Sequence, residues 1–150
     1  MIANATKNGH GIIKGPDELR QRTKQFALRV IGLFRALPAT EESRVLGRQL
    51  LRSATGMAAN YRSACRCRSR ADFISKIGIT LEEADETVFW LELLVDSGTV
   101  KEARLTELLS EANELVRIFA ASRSTAAARR GIANHQSQIT NRKSRVVGRS

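Results

Sequence analysis

Between Phe73 and Val95 the apolar residues Phe73, Ile77, Leu81, Ala84, Val88, Leu91 and Val95 recur at steps of 4-4-3-4-3-4. That spacing puts all seven on one face of an α-helix, close to a heptad seam, and is incompatible with the two-residue period of a strand. In the first half of this helix the opposite face is acidic, with Glu82, Glu83 and Glu86. In the second half that face turns apolar, with Phe89, Trp90 and Leu93. A helix that is apolar nearly all round must be covered on both sides, by other helices of the chain or by another subunit. Val88, Phe89, Trp90, Leu93 and Leu94 are on this reading the candidate oligomer interface. The rest of the chain has to supply packing partners for this helix.

Three further segments have the same period. Leu19, Phe26, Val30, Phe34 and Leu37 define a helix over 17–36, opened by Pro16, Asp17 and Glu18 and closed by Pro38. Thr40 is a good N-cap for a second helix, whose buried face is Leu46, Leu50, Ala54, Met57, Tyr61 and Ala64. Its middle, Ser53 to Ala59, is almost entirely small residues around Gly56, which suits close approach of another helix. Ser69 followed three residues later by Asp72 starts the Phe73–Val95 helix, and Gly98 stops it. Leu105, Leu108, Leu109, Ala112, Leu115, Val116 and Phe119 mark a last helix over 101–121. Four amphipathic helices with short connections predict an all-α, antiparallel up-down-up-down four-helix bundle over 16–121.

The charge of +10 is unevenly placed. Residues 17–121 carry 16 bases against 15 acids, whereas 122–150 carry seven bases and no acid. Residues 1–15 read as a flexible arm, and 122–150 as a disordered basic tail after one more helical turn. Such a tail is a nucleic-acid-binding arm or a solubilising segment. At 100° per residue, Arg44, Arg48, Arg52, Arg62, Arg66 and Arg70 fall within a sector of roughly 80° on the second helix, opposite its apolar face. An unbroken helix would make this stripe about 39 Å long, although the Ser69 cap places the break somewhat earlier. The stripe has two readings. It binds RNA or DNA phosphates, where Arg can donate two hydrogen bonds at once, or it pairs with Glu82, Glu83 and Glu86 on the neighbouring helix.

Little in the chain suggests chemistry. Both histidines, His10 and His135, lie in the terminal segments, and Cys65 and Cys67 are the only cysteines. Spaced two apart on a helix they point away from each other, so reduced cysteines of a cytoplasmic protein are expected, with no metal and no cofactor. Asn60 is expected to satisfy polar groups at a helix contact. No stretch is apolar and long enough for a membrane span, and Met1–Ile13 lacks the apolar run of a signal peptide. The expectation is a non-enzyme.

Several segments resemble a known family when taken together: Leu50-Leu51-Arg52-Ser53-Ala54, Asn60-Tyr61-Arg62, Ser69-Arg70-Ala71-Asp72-Phe73-Ile74-Ser75-Lys76, Glu83-Ala84-Asp85-Glu86-Thr87 and Trp90-Leu91. In this order and spacing they are similar to the bacterial four-helix bundle family of 23S rRNA intervening-sequence proteins. That family includes relatives of the accessory variability protein of diversity-generating retroelements. The resemblance implies a helical subunit of a ring-shaped homopentamer. Its implied partners are nucleic acid and a reverse transcriptase or ribosomal component. The family often carries Glu shortly after the helix-B Asn, and this chain has Ser63 there. A structural or protein-interaction scaffold with no nucleic-acid role is the alternative.

Overall fold

The computed structural model of the chain describes residues 15–147; the arm at 1–14 and the last residues, 148–150, lie outside the described part. Four helices account for it: α1 (Pro16–Ala36), α2 (Glu41–Ala64), α3 (Arg70–Asp96) and α4 (Glu102–Val147). There is no strand among the described residues. None of these helices is long and apolar enough to cross a membrane.

Local chemistry sets most of the boundaries. Pro16 occupies the first turn of α1 with Asp17 and Glu18, and Leu37 leaves the helix in an extended conformation ahead of Pro38. Thr40 caps α2, its hydroxyl oxygen accepting the Ser43 N–H at 3.3 Å. Ser69 caps α3 by accepting the Asp72 N–H at 3.1 Å. Gly98 takes φ +73°, the left-handed conformation that only glycine adopts without cost, and the Val100 N–H then returns to the Leu94 carbonyl at 3.0 Å.

α2 packs against α1 and α3, and α3 against α4; α1 and α4 meet over a smaller area. The core contains Phe26, Val30, Leu50, Met57, Ile77, Leu91, Leu94, Leu105, Leu115 and Phe119, all fully buried. Between α2 and α3 the small residues serve as expected. The Thr87 hydroxyl lies 3.0 Å from that of Ser53 in the buried seam. One turn along, Gly56 leaves room for the Glu83 carboxylate, whose Cδ would stand 3.0 Å from a Cβ there. Tyr61 of α2 and Phe119 of α4 bring their rings to 5.4 Å at 40°. α1 is tied to α4 by Arg22, whose Nε donates to Glu111 at 2.6 Å and whose Nη2 lies 2.9 Å from Glu114. These two carboxylates hold the guanidinium proton more firmly than in a free arginine.

Three sequence expectations need correction. The last helix does not stop near 121, and the following segment is not a disordered tail: α4 continues to Val147. The reading assumed that a helix needs a buried face. Here the bundle supplies the costly nucleus over 102–121, and a proline-free run with Ala126, Ala127 and Ala128 only has to propagate it. Second, the unbroken stripe is lost: α2 ends at Ala64 and Arg66 lies in the turn, while Arg70 opens α3 as the Ser69 cap predicts. The Arg66 and Cys67 N–H groups close that turn on the Ser63 and Ala64 carbonyls, so the helical ladder is interrupted there. Third, Val88 and Leu94 are buried within the chain's own core and are not available to another subunit.

Candidate nucleic-acid interface

The arginine stripe divides into two groups. At the α1–α2 side Arg44 and Arg52 have carboxylate partners, whereas Arg48 between them has none among the described residues. Arg44 lies 3.8 Å from Glu41, and Arg52 lies 2.6 Å from Glu86 and 3.9 Å from Glu83. On α1, Arg29 approaches Glu107 at 3.7 Å, and at the helix start, towards the α2–α3 end, Arg20 pairs with Asp17. The ion-pairing reading therefore holds for Arg52, while Glu82 takes no part in it.

Arg62, Arg66 and Arg70 belong to the opposite end of α2, where the chain turns into α3. All three are exposed. None has a carboxylate within 4.0 Å among the described residues, and the same is true of Arg48. The turn also carries Arg68. A cleft of about 900 Å³ opens here, bounded by the turn, the start of α1 and the middle of α4. Leu19, Phe73 and Ile118 form its apolar floor, and Arg68, Arg70 and Arg129 line it from three segments. Arg123 lies close by on α4 over Gly78, its Nε 3.6 Å from the position of a Cβ there. The N-terminus of α3, where backbone N–H groups point outward, adds partial positive charge on the same side. Tyr61 also lines the cleft; burial, then its neighbour Cys65, raises the pKa of its hydroxyl, so it stays a neutral phenol. Cys65 and Cys67 are free thiols, with the Cys67 Sγ 3.5 Å from the Ser63 carbonyl.

Arg68, Arg123 and Arg129 were absent from the sequence-derived set. Helical phase cannot relate residues on either side of a turn, and Arg129 lay in a segment read as unstructured. Asn60 is satisfied locally, its Nδ2 donating to the Gly56 carbonyl at 2.9 Å.

A second surface lies on α3. Phe89 is 52% exposed, and its ring meets that of the half-buried Trp90 edge-on at 4.8 Å. Leu93 is half-buried beside them in sequence. The Trp90 Nε1 is buried with no hydrogen-bond partner, so this residue is set for packing more than for polar recognition.

Glu83 is the strained member of the α2–α3 contact. One carboxylate oxygen is buried without a hydrogen bond. Burial raises its pKa above the ordinary 4.5, opposed by Arg52 and reinforced by Glu86 and Glu82. A carboxyl with a raised folded-state pKa binds its proton more tightly in the folded chain. Its contribution to stability therefore falls as pH rises above about 4.5. Glu83→Gln is expected to stabilise the fold at pH 7 by roughly 1 kcal/mol. The gain should vanish below the unfolded-state pKa, where both states are protonated. Urea denaturation of the two proteins at pH 4 and pH 7 checks both the sign and the window.

The architecture is that of an all-α four-helix protein with a basic end and an apolar patch on its third helix. Residues 17–121 match the 23S rRNA-intervening sequence protein family, and the chain belongs to that family. A crystal structure of a protein of unknown function from the S23 ribosomal protein family of Bacteroides thetaiotaomicron is similar to it, at 32% identity and a TM-score of 0.66. The similarity covers 70% of this chain and 97% of that one. No curated protein matches.

Proposed function

We propose that this chain is a non-enzymatic, cytoplasmic subunit that self-assembles and binds RNA or DNA through the arginines at its α2–α3 end. One contrast carries the reading. Arg20, Arg22, Arg29, Arg44 and Arg52 are each held by a carboxylate. Arg68, Arg70 and Arg129, from separate segments, share one cleft with no carboxylate within ion-pairing distance among the described residues. Asp17, Glu18 and Asp72 stand in the helix first turns nearby, but arginines that no described carboxylate pairs with are suited to a polyanion, and phosphate is the group that guanidinium binds best in pairs. The family's name links its members to insertions in 23S rRNA, which makes RNA the first ligand to test.

Opposed numbering across the contacts supports an up-down-up-down arrangement: Arg52 and Ser53 meet Glu86 and Thr87, whereas Gly56 meets Glu83. Likewise Arg22 meets Glu111 while Arg29 approaches Glu107. Self-assembly rests on Phe89, Trp90 and Leu93, the apolar residues of α3 that its own core leaves at least partly uncovered. The homopentameric ring is the assembly implied by the family resemblance.

Light scattering at low and high salt, with and without a short mixed-sequence RNA, tests both parts. The expected result is a mass several times the 16.6 kDa subunit, rising with RNA only at low salt. A monomer whose mass ignores RNA would overturn the proposal. An oligomer that ignores RNA would leave a structural scaffold in its place.

A further inference from the structure

We propose that the projecting half of α4, residues 122–147, is a DNA-binding helix that lies in the major groove of a duplex. The proposal rests on the nucleic-acid reading above and extends it along α4, whose residues Ser122, Thr125, Ala126 and Arg129 already line the cleft. This segment lies beyond the 17–121 match to the family. From Ala127 to Arg142 every residue is exposed, so no other described part of the chain covers that stretch. It extends roughly 39 Å at 1.5 Å per residue.

Its composition selects the occupant. No acid occurs after Glu114, and Arg123, Arg129, Arg130 and Arg142 all stand on this stretch. At 100° per residue, Arg123, Arg130, Asn134, Gln138 and Asn141 fall within a sector of about 80°. All five are exposed. Arginine bonds guanine edges or phosphates, and Asn and Gln side-chain amides match the paired donor and acceptor of adenine in the major groove. A single helix face thus offers cations nearest the bundle and amides along the projecting part. The B-form major groove is wide enough for a helix, whereas the A-form major groove of duplex RNA is too narrow to admit one. Ile132 and Ile139, 61% and 43% exposed, stand on the opposite face. Two isoleucines without an aromatic are a small apolar face for a membrane surface. Pairing with a second copy would bring two acid-free cationic helices together.

Fluorescence anisotropy on the full chain tests this with three probes: a mixed-sequence DNA duplex, an RNA duplex of the same sequence, and a single-stranded RNA. The DNA duplex is expected to bind at least about tenfold more tightly than the RNA duplex. Arg130→Glu/Asn134→Ala/Gln138→Ala should weaken DNA-duplex binding at least about tenfold and change single-stranded RNA binding less than about twofold. These positions are exposed and alanine favours helix, so circular dichroism should show undiminished helicity in the variant. Equal affinity for the two duplexes, or unchanged DNA affinity in the variant, would overturn the proposal. So would a drop in solution mass in Ile132→Asp/Ile139→Asp, which would assign the helix to a second copy. Single-stranded RNA reads out the cleft arginines, so failure of this helix and failure of the broader reading are distinguishable.

Discussion

Phe119→Ala is expected to destabilise the fold by about 3–5 kcal/mol. Phe119 is fully buried, and its ring meets Tyr61 at 5.4 Å. It joins α4 to α2 across the end of the bundle where the basic cleft opens. The substitution removes the transfer free energy of a whole ring and leaves a cavity that helices held on several sides cannot close. The lost ring contact with Tyr61 is part of the same cost. Domains of this size are stable by about 5–15 kcal/mol, so the variant should lie near the edge of folding. Urea denaturation followed by circular dichroism measures the loss, and a cost below about 1 kcal/mol would contradict the packing described. Phe89→Ala is the informative counterpart. Half-exposed on α3, Phe89 should cost the fold less than about 0.5 kcal/mol, while a drop in solution mass would mark it as an interface residue of the proposed assembly.

The second large effect concerns binding. Arg68→Glu/Arg70→Glu/Arg129→Glu should weaken RNA binding by about a hundredfold or more near 0.1 M salt. Each lost phosphate contact removes a counterion-release contribution, and each new carboxylate repels the strand. None of the three side chains has an ion pair to lose among the described residues, so the fold should tolerate the changes. Arg44→Gln/Arg52→Gln provides the contrast. Those cations already face Glu41, Glu83 and Glu86, and removing them should change affinity by no more than about threefold. Similar losses in both variants would return the binding surface to the α2 stripe.

Features written locally were legible in the sequence. Pro16, Thr40, Ser69 and Gly98 each act within one turn of themselves, and each sits at the helix end assigned to it. The seam through Ile77, Ala84, Val88 and Leu91 was legible because burial follows a single period. The conflict between cap and stripe was visible too: Ser69 argued for a break before Arg70, and the cap won. What could not be read was anything relating one helix to another. α3 is apolar on several sides from Val88 to Val95, and only tertiary packing decides that Val88 and Leu94 turn inward while Phe89 turns out. Arg129 and Arg68 are 61 positions apart in number and line one cleft because α4 passes the α2–α3 turn. The extension of α4 was hidden for a different reason. Beyond half-buried Ser122 and Ala126 its described residues are exposed, and a reading based on apolar periodicity has no signal for a helix held by propensity and an anchored start.

Affinity for a short single-stranded RNA as a function of salt most directly tests whether the unpaired arginines at the α2–α3 end carry function. For the intact chain, the logarithm of affinity should fall steeply and linearly with the logarithm of salt concentration. In the Arg68→Glu/Arg70→Glu/Arg129→Glu variant, with helicity unchanged, the slope should be shallower by about three. Identical slopes in the two proteins, or no binding by the intact chain even at low salt, would contradict it.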